Sequence, residues 1–172
     1  MFVALVLLAL PVRAQSTPVV DIFGGYSNLQ ASYNGWNAAA TFNFTHWLGV
    51  VADGSGYYTT TTVGGGSTSS QINAAAYAAL FGPEVSLRTS RVRLFGRGFV
   101  GPVQVTAAVP ALNITAAQSK TGYGGGLGLD LHINSYLGVR LFQADYIHTN
   151  FASQTQDLGR ISGGITISLG RH

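Results

Sequence analysis

The stretch "TGYGGGLGLDLH", residues 121–132, decides how this chain is read. A glycine-rich run can cradle a phosphate, which would point to a nucleotide-binding enzyme. A phosphate loop, however, needs irregular backbone that opens into a helix, and no helical periodicity follows His132. The glycines at 122, 124, 126 and 128 recur at every second position. That is the period of a β-strand, whose successive side chains point to opposite faces. Tyr123, Leu127, Leu129 and Leu131 therefore share one face, and the glycines share the other with Asp130.

The same alternation runs outward along the chain in both directions. Val20, Ile22, Gly24 and Tyr26 alternate with Asp21, Phe23, Gly25 and Ser27. Trp36, Ala38, Ala40, Phe42 and Phe44 alternate with Asn37, Ala39, Thr41 and Asn43. Leu48, Val50, Ala52 and Tyr58 oppose Val51, Asp53, Ser55 and Tyr57. A fourth segment sets Ile72, Ala74, Ala76, Ala78 and Leu80 against Gln71, Asn73, Ala75, Tyr77 and Phe81. A fifth sets Val92, Leu94, Gly96 and Val100 against Arg91, Arg93, Phe95, Arg97 and Phe99. The last sets Ile161, Ile165, Ile167 and Leu169 against Arg160, Ser162, Thr166 and Ser168. Between "TGYGGGLGLDLH" and the last lies residues 136–147, where Arg140 and Asp145 fall on opposite parities. A β-bulge near Phe142-Gln143 would restore the phase; otherwise Asp145 lies at the rim. These segments make eight strands.

Composition says which face is inside. Charged residues are only 9 % and hydrophobic residues 47 %, with mean hydropathy +0.27, against about 25 % charge in soluble domains. Yet no uncharged apolar run approaches the ~18 residues of a spanning helix. Helices and closed barrels are the two structures that satisfy every backbone polar group in lipid. An antiparallel, eight-stranded transmembrane β-barrel is the expectation, with the Leu/Ile/Val/Ala face in lipid. The charged face, Asp21, Asp53, Arg91, Arg93, Arg97, Asp130, Arg140 and Arg160, then forms a network in the lumen. Arg91 and Arg93 begin their strand where Asp130 ends its neighbour, so they should pair across the lumen. Eight strands leave an interior that side chains fill, which argues against a large aqueous channel. The glycine face is expected to receive Phe95, Arg97 and Phe99 from one side and Arg140 or Phe142 from the other.

Residues 1–14, "MFVALVLLALPVRA", read as a signal peptide, with an apolar core and small residues before Gln15; the barrel domain is then 15–172. Short connections (45–47, 85–90, 133–135) alternate with longer ones (29–35, 59–70, 101–120, 149–156), as periplasmic turns alternate with extracellular loops. Tyr26, Trp36, Tyr58 and Tyr123 fall near the outer ends of their strands, and Phe44, Trp47 and Tyr136 near the periplasmic ends. They read as two interfacial girdles. A net charge of +3, scattered along the chain, is no nucleic-acid footprint. The absence of cysteine excludes a disulfide scaffold and thiolate metal sites.

On "DIFGGYSNL" (21–29), "GWNAAATFNFTHWLGVVADGSGYY" (35–58), "ALFGPEV" (79–85), "GGGLGLDLHIN" (124–134) and "GVRLFQADYIHTNF" (138–151), the chain resembles the OmpA/OmpX-like outer-membrane β-barrel domain family. The resemblance implies location in a bacterial outer membrane, with membrane lipids and the barrel-assembly machinery as partners, and leaves any extracellular partner open. Ser162, Gly164, Ile167 and Leu169 are similar to that machinery's recognition signal, although the chain ends Leu169-Gly-Arg-His172 rather than on an aromatic residue. The resemblance is specific for the barrel and uninformative about activity; a structural or surface role, not catalysis, is the expectation. Two alternatives remain. "IHTN" (147–150) is similar to the His-x-Ser-Asn motif of outer-membrane lipid A deacylases, but Thr149 stands off the serine position and Glu84 lies at the opposite end. A soluble, ligand-binding barrel would reverse the two faces. His46, His132 and His172 are dispersed, so no catalytic, cofactor or metal site is expected.

Overall fold

The computed structural model describes residues 17–30, 32–63, 70–109, 114–151 and 154–170; the proposed signal peptide lies outside them. The strands are β1 (Val20–Leu29), β2 (Tyr33–Asn43), β3 (Leu48–Val63), β4 (Ser70–Arg88), β5 (Val92–Val109), β6 (Ile114–His132), β7 (Leu137–Phe151) and β8 (Gln154–Leu169). Each pairs antiparallel with its sequence neighbours, and β1 closes on β8 to make a barrel without edges through its middle.

The turns at one end are held by side-chain oxygens that accept from backbone N–H groups, a local alternative to the ladder. Thr45 Oγ1 accepts from the N–H groups of Trp47 and Leu48 at 3.3 and 3.0 Å, and Asn134 Oδ1 accepts from those of Tyr136 and Leu137 at 2.9 and 2.8 Å. Thr89 Oγ1 accepts from Val92 N–H at 3.1 Å.

At the other end the strands run further than their sequence suggests. The 59–70 and 101–120 stretches, expected as loops, are mostly ladder: β3 and β4 pair out to Val63↔Ser70, and β5 and β6 out to Val109↔Ile114. Alternation fails there for a physical reason. Beyond the closed part of the barrel neither face of the sheet borders a lumen, so nothing selects an apolar/polar period there. Pairing with the flanking strands stops earlier, at Asn34↔Tyr58 and Gly122↔Thr149. Strands β3–β6 therefore project beyond the rest of the barrel as a four-stranded sheet.

The polarity of the wall is inverted relative to a soluble protein. Leu87 is 71 % exposed and Ile161 65 %, while Arg93 and Arg160 are 1 % exposed. In β4 the face assignment departs from a simple apolar-outward rule. Leu80 is fully buried in the lumen, and Tyr77, Phe81, Val85 and Leu87 face out. Leu80 is drawn inward because it packs with Phe99, Val103 and Ile147 in an apolar plug toward the outer end.

A bulge resolves the parity conflict in β7. Asp130 pairs with Arg140 and Leu129 with Phe142, so Leu141 has no partner on β6. On the other side the register also shifts between Arg140 and Gln143. Leu141 and Phe142 both face out, and Arg140, Gln143 and Asp145 all face in. The extra residue thus places two arginine partners on the lumen side. Deleting Leu141 leaves a continuous alternation with both ladders in register. That variant is expected to fold to a barrel whose unboiled band still migrates ahead of the boiled one. Deleting Ile165 from bulge-free β8 is expected to abolish that band, because one half of the strand then turns its faces around.

Candidate functional site in the barrel lumen

The inward faces bring together side chains that are scattered over more than a hundred positions. At the end of the short turns Asp21 of β1 accepts hydrogen bonds from Arg88 Nη2 (2.6 Å), Asn43 Nδ2 (2.9 Å) and Ser168 Oγ (2.6 Å). Arg93 of β5 bridges Glu84 on one side and Asp130, at 2.7 Å, on the other. Arg140 grips Asp130 with two bonds, Nε to Oδ1 at 2.7 Å and Nη2 to Oδ2 at 3.1 Å.

Further up, four charges close a square. Arg97 donates to Asp145 through Nε and Nη2 (3.1 and 3.0 Å) and to Asp53 through Nη2 (3.0 Å). Arg160 donates to the same two carboxylates, at 2.8 Å each. Gln143 links the two levels. Its Oε1 accepts from Arg140 Nη1 at 2.5 Å, and its Nε2 donates to Asp145 at 2.6 Å. Asn37 ties in from β2, donating to Asp53 at 3.0 Å.

The balance of charge is complete. The network holds five carboxylates (Asp21, Asp53, Glu84, Asp130, Asp145) and five arginines (Arg88, Arg93, Arg97, Arg140, Arg160). Removing ten charges from water is tolerable only when each meets an opposite partner and further hydrogen bonds. The guanidinium planes also lie against lumen aromatics. Arg140 sits 4.1 Å from the Phe23 ring centre and 4.3 Å from that of Phe95, and Arg93 sits 5.0 Å from Phe95. Such contacts add attraction when desolvated. Above the square, Ser27 hydrogen bonds Tyr57 and Ser162 hydroxyls at 2.9 and 2.8 Å.

The glycine face of β6 takes part in this packing. A Cβ on Gly128 would land inside the Phe95 ring, and one on Gly126 inside the Asp145 carboxylate. Phe142, one candidate to fill this groove, instead faces outward at 39 % exposure, because the bulge turns it out and sends Gln143 in.

Arg91 also departs from the expected network. It lies in the turn before β5 and is exposed. Its parity is right, but the strand starts at Val92, and nothing at the turn closes over it. Conversely, Glu84 enters the lumen, and so does Arg88 although 85–90 reads as a connection, since β4 continues to Arg88. Parity counted back from Arg93 through the β4–β5 ladder would have found both: Arg88 pairs with Arg93 and Glu84 with Arg97.

No known family profile matches the sequence, and no curated protein is similar to it. Solved structures are similar in fold. Ail, the attachment invasion locus protein of Yersinia pestis, solved in complex with the heparin analogue sucrose octasulfate, superposes with a TM-score of 0.58 at 16 % identity, over 86 % of this chain and 95 % of that one. Neisserial surface protein A gives 0.58 at 12 % identity over 87 % and 96 %. The outer membrane protein OprG of Pseudomonas aeruginosa gives 0.57 at 12 % over 88 % and 96 %. The chain has the fold of the small eight-stranded outer-membrane β-barrels.

In an outer-membrane barrel the exposed aromatics mark the interfaces. Tyr26, Trp36, Tyr58 and Tyr123 are exposed toward the projecting end, together with Tyr77 and Tyr146, and Phe44, Trp47 and Tyr136 toward the turn end. The Tyr58 and Tyr77 rings meet edge-on, 5.9 Å apart at 82°. In "IHTN" the strand separates the two candidate catalytic groups: Thr149 is fully buried in the lumen, and His148 is on the outer wall. A base and nucleophile must lie within hydrogen-bond reach, so this pair makes no dyad. His148 Nδ1 instead lies 2.8 Å from Asp157 Oδ1.

Proposed function

We propose that this protein is a bacterial outer-membrane β-barrel with a plugged lumen. In this reading its role is structural or one of surface interaction, not catalysis. The observation that carries the reading is the charge-neutral lumen: five arginines and five carboxylates pair with one another inside a wall whose outer face is apolar. A plug of this kind leaves the lumen without a reactive group to offer a substrate. The part presented to the exterior is then the projecting β3–β6 sheet, whose described upper residues mix polar ones such as Gln104, Thr106, Gln118 and Ser119 with small apolar ones such as Ala107 and Ala117, beside Lys120.

The soluble ligand-binding barrel is disfavoured by the same inversion, because its calyx would have to be the Arg/Asp face. Cell fractionation followed by unboiled and boiled gel electrophoresis tests the proposal. The protein is expected in the outer-membrane fraction with a heat-dependent shift in mobility. A soluble protein that migrates identically with and without boiling would contradict it.

A further inference from the structure

The chain has six acidic residues, and five are in the lumen network. Asp157 is the sixth. Its side chain is 54 % exposed on the outer wall, a surface on which a carboxylate is otherwise costly. It is not isolated there. His148 Nδ1 lies 2.8 Å from it, the Tyr146 hydroxyl hydrogen bonds it, and Gln30 Nε2 donates to its backbone oxygen at 2.7 Å. The Tyr123 ring lies 4.9 Å from that of His148. Next to this group, on β1 and β2, Asn34 Oδ1 accepts from Tyr26 OH at 2.5 Å and Asn28 Nδ2 at 2.9 Å.

Between the two polar groups the wall is hollow. A recess of about 330 Å³ opens beside Gly159, between Asn28 and Gln30 on one side and Ala144, Asp145, Arg160 and Ile161 on the other. A Cβ built on Gly159 meets nothing within 4 Å. Gly159 pairs with Tyr146 and Asp157 with His148, so the recess and the Asp157 cluster are contiguous on one face.

We infer that this recess binds the sugar headgroup of a glycolipid in the surrounding leaflet. The surround mixes amides, tyrosine hydroxyls, a carboxylate and an imidazole, which together donate and accept, as a polyhydroxyl ligand requires. A phosphate headgroup fits less well: the Asp157 carboxylate repels it, and Arg160, the one cation in the lining, turns its guanidinium away into the lumen, onto Asp53 and Asp145. The recess opens sideways at the height of the upper aromatic girdle, with an apolar floor of Ala144 and Ile161. That geometry places a sugar at headgroup depth and its acyl chains against the wall below. The inference rests on the protein being an outer-membrane barrel.

The test uses the full chain folded in detergent, with rough lipopolysaccharide as probe and phosphatidylglycerol and the released core oligosaccharide as comparisons. Folding of each variant is read separately from the unboiled gel band, so failure of the barrel reading shows itself there. Lipopolysaccharide is expected to bind in preference to both comparisons. Asp157→Ala and Gly159→Leu, which deletes a polar contact and fills the recess respectively, are each expected to weaken it about tenfold, the size of one lost hydrogen bond to a charged group. Unchanged binding by both folded variants would overturn the site. Equal binding of phosphatidylglycerol would overturn the sugar, and equal binding of the free oligosaccharide would overturn the lipid.

Discussion

Asp145→Ala is expected to unfold the barrel at a much lower urea concentration than the wild type, with a loss of about 3–5 kcal/mol, the cost of stranding a buried charge. Asp145 is the acceptor that two arginines share: Arg97 donates to it twice and Arg160 once, and Gln143 donates as well. Its removal leaves three donors in a water-poor lumen and a net positive charge there. Asp53 already accepts from Arg97, Arg160 and Asn37, so it has little further to offer them. Asp145→Asn keeps the shape and two acceptor positions but not the charge, and should fall between. Arg91→Ala serves as the control. Arg91 is also a charged residue but is exposed, on the turn between β4 and β5, and its loss should leave the urea midpoint in place. The measurement is equilibrium urea unfolding in phospholipid vesicles, followed by tryptophan fluorescence from Trp36 and Trp47. A midpoint for Asp145→Ala equal to that of Arg91→Ala would mean that the network does not hold the barrel.

Gly128→Leu is expected to prevent assembly altogether. A leucine Cβ there enters the Phe95 ring and comes within 2.9 Å of the Phe142 carbonyl oxygen. Phe95 cannot retreat, since Arg93 and Arg140 lie against its ring at 5.0 and 4.3 Å. Overpacking a tight interior costs about 1–3 kcal/mol even where neighbours can shift, and here the neighbour is locked by charge. Gly126→Leu should behave alike, because its Cβ would displace Asp145. Gly24→Leu is the contrast. Gly24 faces lipid and its Cβ meets nothing within 4 Å, so this variant should yield a normal heat-shifted band. Adding Phe95→Ala to Gly128→Leu should recover part of the folded band, which distinguishes crowding by the ring from a backbone effect.

These two predictions fall on features that a period of two makes legible. Alternation alone places Arg93, Arg97, Asp130, Arg140 and Arg160 in one compartment and marks the β6 glycines as room for their neighbours. The bulge was also visible, because Arg140 and Asp145 cannot both face a lumen without an extra residue between them. What the sequence hid has two physical sources. In β4, the run "AAAYAAL" (74–80) offers small residues to both faces, so its parity depends on Glu84 and Arg88 further on, which read as a turn. Above the membrane, strands such as Ile114–His132 lose their signal because no lipid acts on one face. Gln143 and Asn37 were hidden for a different reason. An amide is neutral and fits either face in principle, and only the distances among Arg140, Asp145 and Asp53 show it to be a connector.

Ile165 and Thr166, adjacent in β8, look into different media: Ile165 outward at 56 % exposure and Thr166 inward at 4 %. The chain has no cysteine, so a single cysteine at either position can carry one nitroxide without further changes. Reconstituted in phospholipid vesicles, the label at 165 is expected to relax strongly with oxygen, which partitions into lipid, and weakly with a water-soluble nickel chelate. The label at 166 is expected to be immobilised and shielded from both. An immobile, shielded label at 165 with a mobile, chelate-accessible one at 166 would describe a soluble barrel with an apolar core, and would contradict the account.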